Sequence, residues 1–226
     1  MMVLAAHGTK DPAGARVIEE LAARVRAEAR ISVRVAYADV RKPDLKTVLD
    51  SVRGHQAVVI PAFLASGYHV RKDIPAQIAA SGHVRTILSA PFGPAQELID
   101  VMCDRLEWAG YRRGDAVVLA AAGSGDRRAL AEVRLAADAL SKRLATPVRV
   151  GYAATAQLSV VDAVARARGR GNRVAVASWL LAPGLFQRKL DACGADVVAE
   201  PLGAHPAVVD LILRRHEQAL RQLVAA

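Results

Sequence analysis

Hydrophobic and polar positions along the chain follow two periods, one typical of buried strands and the other of amphipathic helices. In the first half, short runs rich in Val, Ile and Ala alternate with stretches whose apolar residues recur every three or four positions. This alternation is typical of βαβ units, in which helices join parallel strands. The pattern predicts strands at 2–6, 32–38, 57–63 and 84–88, and helices at 12–29, 43–52 and 94–109, with a short helix after the loop at 64–75.

The second half repeats motifs of the first in the same order, at offsets between 110 and 117 positions. The aligned pairs are Val3–Asp11 with Val118–Asp126, Val35–Ala38 with Val150–Ala153, Phe63–Gly67 with Leu180–Gly184, and Ala90–Gly93 with Glu200–Gly203. Four ordered matches indicate an internal duplication. We therefore predict an α/β protein with two homologous halves, at 1–112 and 113–226. Each half should be a four-stranded, mainly parallel sheet flanked by helices.

Composition says more about the kind of protein than about its fold. Apolar residues make up 53% of the chain, but no apolar run is long enough to cross a bilayer. The first residues lack the basic region and apolar core of a signal peptide, so we expect a cytoplasmic protein. Cys103 and Cys193 lack metal-ligand spacing and should be buried free thiols. We expect a monomer in which the two halves form an internal pseudo-dimer.

The formal net charge of +9 favours an anionic partner. Nucleic acid is disfavoured, because the basic residues are dispersed, aromatic residues make up only 4% of the chain and no nucleic-acid-binding signature is present. A polyanionic small molecule fits the charge at least as well.

Two histidines follow strands that should be neighbours in the first sheet. With a 2-1-3-4 strand order, the binding crevice lies beyond the carboxyl ends of strands 1 and 3. His7 follows strand 1 and His69 lies in the loop after strand 3, so both should face this crevice. Taken alone, each would more often be a hydrogen-bonding loop residue, and the turn at His7 could instead bind an anion. The remaining histidines should be structural: His55, His83, His205 and His216.

The motifs around this histidine pair resemble those of a known family. The first strand is followed by His-Gly-Thr at 7–9, and the third by Gly-Tyr-His-Val-Arg-Lys-Asp-Ile-Pro at 67–75. The chain thereby resembles the sirohydrochlorin chelatases of the CbiX and SirB type, with His-Gly-[Ser/Thr] after strand 1 and Gly-x-His-x-x-x-Asp-Ile-Pro after strand 3. The resemblance covers the whole chain, because long members of this family contain two fused halves.

The resemblance implies a class II, ATP-independent chelatase that inserts Co²⁺ or Fe²⁺, with Ni²⁺ a further candidate, into sirohydrochlorin or a related anionic tetrapyrrole. The pathway would be siroheme or cobalamin biosynthesis, and no organic cofactor is implied. His7 and His69 would bind the metal and accept protons from pyrrole nitrogens, two roles that neutral imidazole can fill. The residues expected to contact the substrate are Arg41, Ser66, Gly67, Tyr68, Arg71 and Lys72.

The second half departs from this pattern, because Ala122 stands at the position of His7 and Phe186 at that of His69. It should form the opposite wall of the cleft. Five apolar residues are candidates to face the macrocycle, although most should pack in the core: Trp179, Leu180, Leu181, Leu185 and Phe186.

Two further hypotheses remain open beside the chelatase. One is a non-catalytic tetrapyrrole or metal carrier with the same fold, and the other is an α/β nucleotide or nucleic-acid binder. The intact histidine pair favours catalysis over carriage. We also expect Asp73 to cap the short helix that follows it and so to hold the His69 loop.

Overall fold

Two four-stranded parallel sheets form the framework of the computed structural model, which describes residues 1–154, 158–169 and 171–224. The first sheet contains β1 (Met2–Ala6), β2 (Val33–Tyr37), β3 (Ala57–Pro61) and β4 (Thr86–Leu88), and the second contains β5 (Ala116–Ala121), β6 (Val148–Tyr152), β7 (Val174–Trp179) and β8 (Val197–Val198). The strand orders are β2-β1-β3-β4 and β6-β5-β7-β8. The predicted fold class, two α/β halves with the 2-1-3-4 order, is therefore confirmed.

Helices connect the strands and cover both faces of each sheet. In the first half they are α1 (Pro12–Ala29), α2 (Leu45–Asp50), α3 (Ile74–Ser81) and α4 (Gln96–Trp108). In the second half they are α5 (Arg127–Leu144), α6 (Val160–Arg168), α7 (Leu185–Asp191) and α8 (Pro206–Val224). No helix within the described ranges is long and apolar enough to span a membrane.

The first helix of each half begins at an aspartate. The Asp11 carboxylate accepts a hydrogen bond from the Ala13 amide at 2.9 Å, and the Asp126 carboxylate accepts one from the Arg128 amide at 2.8 Å. Each bond satisfies a backbone donor that the first turn leaves free. Both carboxylates are thereby fixed at the carboxyl edges of their sheets.

One apolar core joins the two halves. It fills the space between the inner faces of the sheets and includes buried residues of α1, α4, α5 and α8. Helix α4 packs against β7 of the second sheet, whereas α8 packs against β3 and β4 of the first. The halves have thus exchanged their last helices. Two smaller apolar clusters cover the outer faces of the sheets, with α2 and α3 on the first and α6 on the second.

The largest departure from the predicted elements lies at 64–75. The sequence predicts a loop throughout, but residues His69–Asp73 form a π-helical turn that runs directly into α3. The predicted third strand also ends early, at Pro61, so that Ala62 and Phe63 belong to the segment that shapes the cleft. Cys103 and Cys193 are buried and unpaired, as expected. The division at 112/113 falls in the turn between α4 and β5 and stays a prediction.

Candidate metal and substrate site

Three polar side chains meet at the carboxyl edge of the first sheet, each just after a strand or in the segment that follows one. One ligand atom each from His7, Asp39 and His69 lies within 4.8 Å of the other two. The two imidazole rings meet edge to face, with centroids 4.6 Å apart. The structure therefore brings together the two histidines singled out in the sequence and adds a carboxylate to them.

The loops that carry His7 and Asp39 are locked to each other through their backbones. The Asp39 amide donates to the His7 carbonyl at 3.0 Å. Gly8 has a φ of +96°, and a Cβ atom there would lie 2.3 Å from the Asp39 carbonyl oxygen. Only glycine allows both this conformation and this approach. Gly8 therefore sets the distance between the first histidine and the carboxylate.

His69 is oriented by a carboxylate one turn further along. Its Nδ1 lies 2.9 Å from Oδ2 of Asp73, whose Oδ1 accepts from Gln77 at 2.9 Å. Gln77 also donates to the Ala38 carbonyl at 3.2 Å, which ties this network to the segment that carries Asp39.

The prediction that Asp73 caps the following helix is wrong. Asp73 has helical backbone angles and makes no capping bond, because the turn that starts at His69 continues through it. The amide of Ile74 already donates to the His69 carbonyl. The Asp73 carboxylate is consequently free to hold His69, which lies on a helical turn instead of the loop predicted for it.

Hydrogen bonds assign the tautomer of both histidines. Nδ1 of His7 lies 3.0 Å from the Gly8 carbonyl oxygen, and Nδ1 of His69 faces the Asp73 carboxylate. Because both partners are acceptors, we place the imidazole proton on Nδ1 in each ring. Nε2 of each neutral ring then keeps a free lone pair. The Phe63 ring lies beside both, with its centroid 6.1 Å from that of His69 and 6.2 Å from that of His7.

The histidine pair lines a cleft of about 650 Å³ between the two halves. The opposite wall belongs to the second half and includes Ala122, Leu185 and Phe186. The Leu185 side chain is 59% exposed and that of Phe186 36% exposed, so both present apolar surface to the cleft. Trp179 and Leu180 are buried, whereas Leu181 is half-buried and all five apolar candidates line the cleft. The expectation that most of them pack in the core therefore holds for only two.

The residues expected to contact the substrate are distributed unevenly around this cleft. Tyr68 and Gly67 line it, and the Tyr68 side chain is largely exposed. Ser66 does not line it, and its backbone amide donates to the Glu132 carboxylate of the second half at 2.6 Å. Arg41 donates to the Thr9 carbonyl and lies over the Tyr37 ring.

Two ion pairs join the halves, and none of their four side chains is among those that line the cleft. Nη1 of Arg71 lies 3.1 Å from the Asp126 carboxylate, and Nη1 of Arg188 lies 2.6 Å from that of Asp11. In each pair the arginine follows the third strand of one half, and the aspartate caps the first helix of the other. Lys72, beside Arg71, is exposed.

The other histidines lie outside this site. His83 is buried and bonded to the Val52 carbonyl and to Thr86, and His205 lies 3.3 Å from the Asp104 carboxylate. Burial lowers the pKa of His216, which lies on α8.

Asp39 is the residue of this site that the sequence reading missed. It follows β2, which pairs with β1, so its position at the same sheet edge was the available signal.

Fold and site together define a class of protein: a doubled α/β fold with a histidine pair at the strand-order reversal of one half, facing a cleft between the halves. Within that class the chain belongs to the CbiX family, which its sequence matches over residues 1–109 and again over residues 116–219.

Individual relatives agree with this membership. A sirohydrochlorin cobaltochelatase of Methanothermobacter thermautotrophicus is 31% identical over 77 residues, which are 33% of this chain and 54% of that protein. The chain thus spans about half the length of that relative. SirB from Bacillus subtilis with Fe³⁺ superposes with a TM-score of 0.82 at 18% identity, over 96% of this chain and 94% of that chain.

A CbiX described as the terminal enzyme of siroheme biosynthesis in denitrifying bacteria gives a TM-score of 0.73 at 24% identity, over 96% of this chain and 98% of that chain. The expected likeness to CbiX and SirB is thereby confirmed.

Proposed function

We propose that this protein is an ATP-independent chelatase that inserts Co²⁺ or Fe²⁺ into sirohydrochlorin or a related anionic tetrapyrrole. The observation that carries the proposal is the meeting of His7, Asp39 and His69 at one wall of the cleft between the halves, which both histidines line. The cleft volume falls within the range of about 300–1,000 Å³ that is usual for small-molecule sites. The relative from Methanothermobacter is a cobaltochelatase, and SirB structures contain Fe³⁺ or cobalt.

The proposed ligand set suits a borderline divalent metal. Two imidazole nitrogens and one carboxylate oxygen bind Fe²⁺, Co²⁺ and Ni²⁺ alike, so the ligands do not select among these metals. Three protein ligands also leave coordination positions open for water and then for ring nitrogens. The metal is a substrate in this account, and no organic cofactor takes part.

Proton removal follows from the same residues. The ring loses two pyrrole protons as the metal enters, and each needs an acceptor. When His7 and His69 release the metal to the ring, their Nε2 lone pairs become free to accept these protons. The Asp73 carboxylate stabilises the imidazolium that then forms at His69, since it already accepts the Nδ1 proton. No nucleotide is required for this exchange.

Other residues of the first half, near the histidine pair, are proposed to recognise the substrate. Arg41, Arg71 and Lys72 are proposed to meet carboxylates of the macrocycle, for which guanidinium and ammonium groups are suited. Gly67 and Tyr68 would contact the ring itself. Ser66 would act by fixing this segment to the second half through Glu132. A cytoplasmic monomer that binds neither nucleic acid nor membranes stays a prediction from the sequence.

The test is an anaerobic optical assay in which the protein is mixed with metal-free sirohydrochlorin and Co²⁺ or Fe²⁺. We expect insertion faster than in the protein-free control, and a loss of about a hundredfold or more in His7→Ala and in His69→Ala. Both side chains lie on the cleft, so the variants should remain folded. A rate equal to the protein-free control would refute the chelatase. Stoichiometric binding without turnover would instead identify a carrier.

A further inference from the structure

The two halves carry the same pair of basic residues after their third strands. At the offset of 117 that aligns Gly67 with Gly184, the Arg71-Lys72 pair aligns with Arg188-Lys189. In the first half the pair lies in the π-helical turn His69–Asp73, and in the second it lies in α7. The repeat therefore places one Arg-Lys pair just after each cleft-lining segment, which is 67–69 in the first half and 180–187 in the second.

The metal-site positions, by contrast, are all apolar in the second half. Their counterparts there are Ala122 for His7, Ala154 for Asp39, Phe186 for His69 and Leu190 for Asp73. The second half thus has none of the groups that would bind a metal or accept a proton at these positions. The second half does keep the basic pair, which follows its third strand as it does in the first half.

Arg188 reaches from the second half toward the first. Its Nη1 lies 2.6 Å from the Asp11 carboxylate at the start of α1, and its side chain is 62% exposed. Asp11 holds this contact in its ionised form, since the hydrogen bond from Arg188 lowers the pKa of Asp11. A guanidinium that is paired but open to solvent can exchange its partner for another carboxylate at little cost in desolvation.

Lys189 stands at the edge of the apolar wall. Its Nζ lies 6.0 Å from the centroid of the Phe186 ring and donates to the Ala153 carbonyl at 3.1 Å. Phe186 itself lines the cleft. The ammonium group therefore lies beside the part of the cleft wall that Phe186 forms.

We propose that Arg188 and Lys189 form a second binding site for substrate carboxylates, in the half opposite that of Arg71 and Lys72. This inference rests on the proposed function, because it takes an acidic macrocycle as the ligand. A flat ring with carboxylates around its periphery presents anionic groups to both walls of the cleft. Basic pairs in both halves fix the plane of the ring relative to the metal, whereas a single pair would hold only one edge.

A purely structural role for the Arg188–Asp11 pair makes a different prediction. If the pair only fastens the two halves, removing either charge should change ligand affinity in the same direction. If Arg188 binds substrate, removing Asp11 frees it and should strengthen binding. Asp11→Asn removes the charge but keeps the helix cap, because asparagine caps a helix about as well as aspartate does.

The experiment is a titration of metal-free sirohydrochlorin, followed by absorption, into the wild type and four variants. The variants are Arg188→Gln, Lys189→Gln, Asp11→Asn and, as a control that removes the same charge from an exposed pair on α8, Arg221→Gln. We expect Kd to rise about threefold to tenfold in Arg188→Gln. It should rise less in Lys189→Gln, fall in Asp11→Asn and stay unchanged in Arg221→Gln.

Unchanged Kd values in folded Arg188→Gln and Lys189→Gln would overturn the second carboxylate site. So would a Kd raised equally by Asp11→Asn and Arg188→Gln.

A metal-insertion assay on the same samples separates this proposal from the proposed chelatase function. A wild type that binds sirohydrochlorin but inserts no metal refutes the chelatase and leaves this site standing. A wild type that inserts metal, with Kd insensitive to the variants, refutes this site alone. Absence of binding to the wild type overturns both.

Discussion

His69 presents Nε2 to the cleft because the carboxylate of Asp73 holds its other nitrogen. A carboxylate in this position fixes the tautomer and the ring plane and makes the imidazole a stronger ligand. Asp73 is in turn held by Gln77, which also bonds the segment next to Asp39. Asp73 therefore acts on the metal through His69 and is a positioning residue.

Replacement of Asp73 by asparagine should weaken metal binding more than it weakens the fold. We expect Asp73→Asn to lower Co²⁺ affinity about tenfold to a hundredfold, as is usual when such a partner of a metal-binding histidine is lost. The free energy of unfolding should change by only about 1 kcal/mol. Calorimetric titration with Co²⁺ and chemical denaturation check the two quantities. Asp50→Asn, which removes a carboxylate from surface ion pairs on α2, is the control. Equal Co²⁺ affinity in wild type and Asp73→Asn would contradict this role.

Single residues of the site differ in how far the sequence could predict them. His7 and His69 were predictable because the segments that carry them follow adjacent strands of a parallel sheet. Asp39 follows a strand as well, but a carboxylate at a strand end is usually solvated. Its approach to the histidines depends on the left-handed backbone of Gly8, which spacing along the chain does not reveal. The Arg71–Asp126 contact was equally hidden, because it depends on how the two halves pack.

At the scale of elements, the contact between α4 and α8 includes a partly buried ion pair. Arg214 on α8 donates to both carboxylate oxygens of Glu97 on α4, at 2.7 and 2.9 Å. Burial alone would raise the pKa of Glu97. The hydrogen bond from Arg214, a backbone hydrogen bond at Glu97 and the charges of Arg214 and Arg215 together outweigh burial and lower that pKa below its usual value. The pair therefore stabilises the fold above the ordinary pKa of glutamate, and this stabilisation is lost as the pH falls through the lowered pKa.

Glu97→Gln should thus destabilise the protein in a pH-dependent manner. We expect a loss of about 1 kcal/mol in the free energy of unfolding at pH 7. The difference from the wild type should shrink as the pH falls below the usual glutamate range. Urea unfolding of both proteins between pH 7 and pH 3 measures this difference. A gap that stays constant across the range would show that lost packing, and not the ionised pair, is responsible.

Most elements were predictable because their apolar residues follow a clear period. The segment 64–75 was not, since its glycine and its run of polar residues conceal a helical turn. Val70 and Ile74, four residues apart and both buried, were the available sign of that turn. The helical turn continues through Asp73 into α3. The prediction that Asp73 caps α3 is wrong for this reason, because a residue inside a helix has no free amides after it to cap.

At the scale of the whole molecule, the two halves are alike in fold and unlike in chemistry. We expect one metal site per chain, because the positions of His7, Asp39 and His69 are occupied by Ala122, Ala154 and Phe186 in the second half. The double variant Ala122→His with Phe186→His should change activity little. It would still lack a third ligand, and Leu190 would replace the carboxylate that orients the second imidazole.

Equilibrium dialysis with Co²⁺ counts the sites in the wild type, in His7→Ala and in this double variant. The expected result is one equivalent bound by the wild type, much weaker binding by His7→Ala, and no additional equivalent in the double variant. Two equivalent sites in the wild-type chain would overturn the asymmetric arrangement.

The exchange of last helices has a consequence for the order of events during translation. Part of the inner face of the first sheet is covered by α8, and 98 positions separate the end of α4 at Trp108 from the start of α8 at Pro206 (206 minus 108). At about 5–20 residues per second, the ribosome needs roughly 5–20 s to make that stretch. The apolar face of β3 and β4 is incompletely covered during this interval. We therefore expect the nascent chain to need shielding, by holding chaperones or by transient packing of α4, until its last-made helix arrives.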